Sequence, residues 1–190
     1  MCSAQGVACP GNYACNAAQT ACNTQCSSSA ECASGTLCLA MLHNCVACGT
    51  FPPPPYTCTA GSGNCETCDA SSTCVKTCDT QGECNSNKTL GGMGMGVPPA
   101  RLECNGQCNN ITVTCQGPGG CEVICGPGGC NNLHLNCDLN GPCKLTCHGN
   151  GCAGAVVGCG DNSCDVSCDQ LTAMTHTCND ACSCLDTGCK

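Results

Sequence analysis

The stretch that decides the fold is Cys108-Asn109-Asn110-Ile111-Thr112-Val113-Thr114-Cys115-Gln116-Gly117-Pro118-Gly119-Gly120-Cys121-Glu122-Val123-Ile124-Cys125-Gly126-Pro127-Gly128-Gly129-Cys130. The pattern restarts at Cys130 and again at Cys152, 22 residues apart each time. Cys115, Cys137 and Cys159 keep the same step. Cys121, Cys143 and Cys164 follow at 22 and 21, as do Cys125, Cys147 and Cys168. Four cysteine columns in register over three units signal a stacked repeat architecture.

Between its turns each unit alternates with period two, which is the strand signature. Ile111, Val113 and Cys115 share one face; Cys121, Val123 and Cys125 share the next. The same holds for Leu133, Leu135 and Cys137, for Cys143, Leu145 and Cys147, for Ala155, Val157 and Cys159, and for Cys164, Val166 and Cys168. The segments between are turn sequences rich in Gly, Asn and Pro, which supply positive or fixed φ. Units of equal length in register predict a parallel β-solenoid of about three 22-residue repeats, two strands to a coil. An 11-residue coil is the alternative.

Cysteines that flank one turn then face the same interior edge. This predicts the pairs Cys115–Cys121, Cys125–Cys130, Cys137–Cys143, Cys147–Cys152 and Cys159–Cys164. Fifteen cysteines precede the low-complexity segment at 88–99 and 17 follow it. Complete pairing within the chain therefore needs a bridge across that segment, and Cys84–Cys104 is the candidate.

The composition requires such crosslinks. Of 190 residues, 32 are Cys, only 23 are Leu, Ile, Val or Phe, and none is Trp. That is too little apolar volume for an ordinary core and far above the cysteine level of a disulfide scaffold. The net charge of −8 and the five scattered basic residues exclude a phosphate-neutralising surface and disfavour an anionic membrane face. No apolar run is long enough to span a bilayer. Cysteine usage places the chain outside the cytosol, secreted or at the cell surface, with Met1 read as a trimmed terminus. A cytosolic origin with reduced thiols is the other reading.

The first half carries a looser cysteine pattern. Cys15, Cys22, Cys26 and Cys32 are spaced much as Cys68, Cys74, Cys78 and Cys84. The expected organisation is a cysteine-rich module at 1–50, a Pro-rich spacer at 51–57, and a second module at 58–85. A Gly/Met linker at 86–102, the solenoid at 103–170 and a C-terminal cap at 171–190 complete it. The two N-terminal modules read as loop-rich cysteine knots, with a short helix over Leu37–Asn44.

No catalytic constellation is visible, so the chain reads as non-enzymatic, with no cofactor and no resident metal. Metallothionein-like cages need dense Cys-x-Cys, and Cys182-Ser183-Cys184 is the one instance. The pairs Cys45/Cys48 and Cys65/Cys68 lack a zinc-knuckle context. An even, patterned cysteine set argues against a free nucleophilic thiol. His134 and His148 read as exposed, and Asp165, Asp169, Asp180 and Asp186 as solvated. Pro53-Pro54-Pro55-Tyr56 reads as a rigid spacer. Asn87-Lys88-Thr89 and Asn110-Ile111-Thr112 are glycosylation sequons at Asn87 and Asn110. Cys2 could carry lipid, but a disulfide better fits the even count.

The repeats at 108–168 resemble disulfide-braced β-solenoids such as insect antifreeze proteins, which implies a shared fold. The ice site of that group is a regular Thr array, and the outward positions here do not supply one. They are Thr112/Thr114, His134/Asn136 and Val156/Gly158 on one face, with Glu122/Ile124, Lys144/Thr146 and Asp165/Ser167 on the other. The first half resembles the cysteine-rich repeats of secreted and cell-surface proteins. The expected function is an extracellular structural or interaction protein, a surface, adhesive or self-assembling fibre subunit held by about 16 disulfides. Its partner would be a second copy or an extracellular surface. A monomeric binding module or inhibitor, a thiolate metal binder and an ice-binding solenoid are the alternatives.

Overall fold

A computed structural model describes residues 9–16, 21–39, 43–49, 57–61, 65–79, 83–92, 97–106, 108–137, 141–178 and 181–189. Cys2, the Pro-rich spacer at Phe51–Tyr56 and Asp180 lie outside them. The chain forms two compact units, Met1–Thr50 and Phe51–Lys190.

The first unit is held by sulfur. Bridges Cys9–Cys22, Cys26–Cys38 and Cys32–Cys45 tie two single-turn 3-10 helices, Pro10–Asn12 and Ser29–Glu31, to an antiparallel pair, β1 (Thr36–Leu39) and β2 (Asn44–Ala47). Ser28 and Glu31 form a capping box, which satisfies backbone donors at the start of that short turn. Tyr13 packs on the cysteine cluster and donates its hydroxyl hydrogen to the His43 carbonyl at 3.2 Å or to Asn44 Oδ1 at 3.0 Å. The helix expected over Leu37–Asn44 does not form. Thr36-Leu37-Cys38-Leu39 is extended, and burial of Leu37 and Leu39 in a strand outweighs their helix propensity.

The second unit is a parallel β-solenoid. It starts with β3 (Thr67–Cys68), antiparallel to β4 (Cys74–Cys78). Then follow β5 (Lys88–Gly91), β6 (Ala100–Cys104), β7 (Thr112–Gln116), β8 (Cys121–Cys125) and β9 (His134–Cys137). The series ends with β10 (Cys143–Cys147), β11 (Val156–Gly158), β12 (Ser163–Cys168), β13 (Thr175–Thr177) and β14 (Ser183–Thr187). Even-numbered strands from β4 to β14 stack as one sheet, with β3 at its edge; odd-numbered strands from β5 to β13 stack as the other. Each coil therefore holds two strands, the 22-residue reading.

The stack has about five coils rather than the three expected. The segment read as a linker at 86–102 supplies β5 and most of β6, and the segment read as a cap supplies β13 and β14. In register they continue the repeat: Cys74 stands beside Ala100, which stands beside Cys121, and Cys164 stands beside Cys184.

Between the sheets run two aliphatic columns. Leu102, Val123, Leu145 and Val166 are neighbours in one; Val113, Leu135 and Val157 in the other. All are essentially without solvent contact. The strand parity read from the sequence places Glu122, Lys144 and Asp165 on the opposite, outer face of the first sheet.

Disulfides brace the corners. The structure joins Cys115 to Cys121, Cys125 to Cys130, Cys137 to Cys143, Cys147 to Cys152 and Cys159 to Cys164. Cys84 and Cys104 do not pair: Cys84 bonds Cys78, and Cys104 bonds Cys108. Cys78 and Cys104 are lateral neighbours in adjoining strands, and each closes its own corner instead of crossing to the next coil.

The remaining corners stack through backbone and amides. Asn110 and Asn132 both adopt positive φ, of 56° and 55°, and Gly154 repeats that conformation 22 residues on, with φ 71°. Asn132 Nδ2 donates to Asn110 Oδ1 at 3.0 Å, and the Asn131 N–H donates to Asn109 Oδ1 at 2.7 Å. Asparagine tolerates the left-handed region and supplies an amide to the next coil. At Gly151 the coils approach too closely for a side chain, because a Cβ would lie 2.4 Å from the Gly126 carbonyl oxygen.

Both ends of the stack turn polar. Lys76 stands beside Leu102, Lys88 beside Val113, His176 beside Val157 and Asp186 beside Val166. Lys76 pairs with Glu66, and His176 Nδ1 lies 3.7 Å from Asp186 Oδ2. Terminal repeats that swap apolar for polar residues close a solenoid against further stacking.

Candidate functional site

At the start of the solenoid, β3, β4 and the segment that precedes them bring four sulfurs together. Cys58 and Cys68 are bonded, whereas Cys65 and Cys74 carry free thiols. This corrects the expectation that no free thiol exists. Cys65 Sγ lies 3.5 Å from Cys58 Sγ, and the Cys65 thiol donates to the Thr67 carbonyl at 3.3 Å. Cys74 faces Cys68 across the antiparallel pair and shares a hydrogen bond with Cys65. Burial first, and the Cys65 sulfur second, push the Cys74 thiol up to about 12.

Cys65 and Cys74 line a cavity of about 370 Å³, together with Leu90, Val97, Pro98 and Arg101. The volume is in the range of small-molecule sites. It arises where the rung pattern lapses. Leu90 stands in register with Cys115 and Ala100 with Cys121, so the corner that is bridged in the next coil is apolar here.

At the opposite end, His176 Nε2 lies 3.0 Å from Cys159 Sγ, 3.5 Å from Cys164 Sγ and 3.4 Å from Cys184 Sγ. Nothing in the spacing around His176 signals this placement. Cys159, His176 and Cys184 bring three ligand atoms within 4.8 Å of one another, as do Cys58, Cys65 and Cys68. The thiolate is the metal ligand among cysteine forms, and Cys159, Cys184, Cys58 and Cys68 are all in disulfides. His176 and Asp186 are instead the polar plug of the last coil.

The outer face of the seven-stranded sheet carries a charge ladder. Arg101 Nε lies 2.8 Å from Glu122 Oε2, Lys144 Nζ 3.1 Å from Glu122 Oε1, and Arg101 Nη1 3.4 Å from Asp69 Oδ2. Burial pushes the Glu122 carboxyl up, but Arg101 and Lys144 together outweigh it and hold it below the usual range. The Lys76 hydrogen bond lowers Glu66, and the Thr73 N–H lowers Asp69. A carboxyl depressed in the fold binds fewer protons than in the unfolded chain, so its stabilisation is present above the ordinary carboxylate range and is lost as pH falls through it. Thermal melts should be flat from neutral pH to about pH 5 and decline below about pH 4. Glu122→Gln should flatten that decline, with a smaller loss between pH 5 and pH 3.

His134 and His148 are exposed, as parity and turn position indicate. Asp169 is not simply solvated: it accepts from the Gly149 N–H at 2.6 Å and lies 3.3 Å from His148 Nδ1. Asp165 is half-buried, and Asp186 faces His176. The sequon residues Asn87 and Asn110 are exposed, and the Oδ1 of each accepts an inter-coil hydrogen bond, that of Asn87 from the Thr112 N–H at 2.9 Å. The outer row of the five-stranded sheet runs Thr112, His134, Val156, Thr175, so no threonine array repeats there among the described residues. No helix among the described residues is long and apolar enough to cross a membrane.

Comparison with protein-family models, with curated proteins and with solved structures returns no match.

Proposed function

We propose that this chain is a non-enzymatic extracellular structural or interaction protein, a covalently laced scaffold that meets its partner along its sheet faces. The observation that carries this reading is the disulfide at successive corners of the coils. Such bridges persist in oxidising compartments and replace the apolar burial that this composition lacks. The polar residues that close both ends of the columns weigh against growth by coil-on-coil stacking, so a fibre is not part of this reading.

The test compares material exported to an oxidising compartment with material made in a reducing cytosol. Mass spectrometry without reductant should find the bridges in the exported protein, which should resist proteases. The cytosolic protein should be reduced and rapidly digested. Equal compactness and protease resistance of the fully reduced protein would refute the reading. Light scattering of the exported protein should give the mass of one chain at every concentration; reversible growth into filaments would restore the fibre reading.

A further inference from the structure

We propose that Cys58, Cys65, Cys68 and Cys74 form a thiol–disulfide exchange site, open to a low-molecular-weight thiol/disulfide couple through the adjoining cavity. The inference does not depend on the functional reading above. Three observations carry it. A free thiol, Cys65, lies 3.5 Å from one sulfur of an existing disulfide. A second free thiol, Cys74, faces the other bonded cysteine, Cys68, across the β3–β4 pair. Both free thiols line a cavity of about 370 Å³.

Cys74 also stands in the column that continues through Ala100 to Cys121, Cys143, Cys164 and Cys184. Those four cysteines are all bonded within their own corners. Cys74 is the cysteine of that column left as a thiol, so the first rung of the ladder is open.

Two steps follow, each balanced. In the internal step the Cys65 thiolate, its proton given to solvent, attacks Cys58 Sγ. The Cys58–Cys68 bond breaks, a Cys58–Cys65 bond forms, and Cys68 leaves as a thiolate that takes up a proton; no electrons are gained or lost. Cys68 then stands as a thiol opposite Cys74. In the external step a soluble disulfide, RSSR, oxidises the two remaining thiols. One thiolate forms a mixed disulfide and releases RSH; the second thiol displaces the other RSH and closes a protein disulfide. Two electrons and two protons pass to RSSR. Cys74, held as a thiol at neutral pH by its burial, is suited to the later, resolving position.

The experiment uses the native full-length protein in glutathione/glutathione-disulfide buffers of stepped ratio, quenched by rapid alkylation and mapped by mass spectrometry. At reducing ratios two alkyl groups should be found, on Cys65 and Cys74 or on Cys68 and Cys74, and a Cys58–Cys65 peptide should accompany the second form. At oxidising ratios both should disappear together, with the rest of the ladder unchanged. Cys65→Ser should abolish the Cys58–Cys65 peptide and the paired loss, leaving Cys74 as a thiol that is alkylated at every ratio. Cys74→Ser should keep the Cys58–Cys65 peptide and lose the paired oxidation. A Cys65–Cys74 bridge that resists reduction until the whole ladder opens would overturn the proposal. So would native thiols inert to alkylation and to glutathione disulfide, or a Cys58–Cys68 bond that never exchanges.

Discussion

Leu145→Asp should unfold the solenoid, whereas Thr146→Asp, one residue on, should leave it standing. Leu145 is fully buried in the middle of a column, between Val123 and Val166. Aspartate there removes the aliphatic packing and places a carboxylate where the neighbours offer only apolar atoms and disulfides. The expected cost is at least about 4 kcal/mol, comparable with the whole stability of a small domain. Thr146 stands half-buried on the outer face between Ile124 and Ser167, whose hydroxyl donates to it at 3.4 Å; an aspartate there still reaches water and can accept from Ser167, and the change should be within about 1 kcal/mol. Thermal unfolding followed by circular dichroism separates the two. Equal melting temperatures would mean that the column is not the core.

Complete reduction should have the larger effect of all. Each corner bridge closes a loop of four to six residues, worth about 2 kcal/mol in the chain-entropy model. Together they are of the same order as the burial that the thin aliphatic seam supplies, so the fold has no margin to lose them all. A strong phosphine reductant followed by alkylation should remove the β-sheet signal and the cooperative melt, and trypsin should then cut at Arg101 and Lys144 on the sheet face. Retention of the melt after every thiol is blocked would show that packing alone maintains the coils.

The central coils are legible in the sequence because their corners keep almost the same length, so cysteines, aliphatics and left-handed Asn or Gly recur at a step of 22 or 21. The outer coils are hidden in the sequence because their corners change length. From Cys78 to Cys104 the step is 26 residues, and from Cys164 to Cys184 it is 20. Their column residues change as well: Lys76, Lys88, His176 and Asp186 close the ends where the middle uses Leu and Val. Leu90 and Ala100 in turn take cysteine positions, which made 86–102 read as a linker. A step allowed to vary by a few residues would have found these coils.

The candidate site was less legible for a different reason. Cys65 and Cys68 read as a Cys-x-x-Cys pair, but spacing does not say which sulfurs bond, and an even total conceals two thiols. The bridge assigned to Cys84 and Cys104 failed on the same ground, since parity requires a crossing bond without naming its ends. What was missing is lateral register, because only the stacked strands bring Cys74 opposite Cys68 and beside Cys65.

Most of the corner bridges join cysteines four to six residues apart, and this shapes how the molecule can be made. In an oxidising compartment, each such loop can be closed as soon as its own few residues have entered it, before distant sulfurs emerge to compete for it. Maturation can thus proceed from the amino terminus onward, one clasp after another. Cys168–Cys189, with its partners 21 residues apart, waits until β13 and β14 have both emerged and ties β12 to the segment that follows β14.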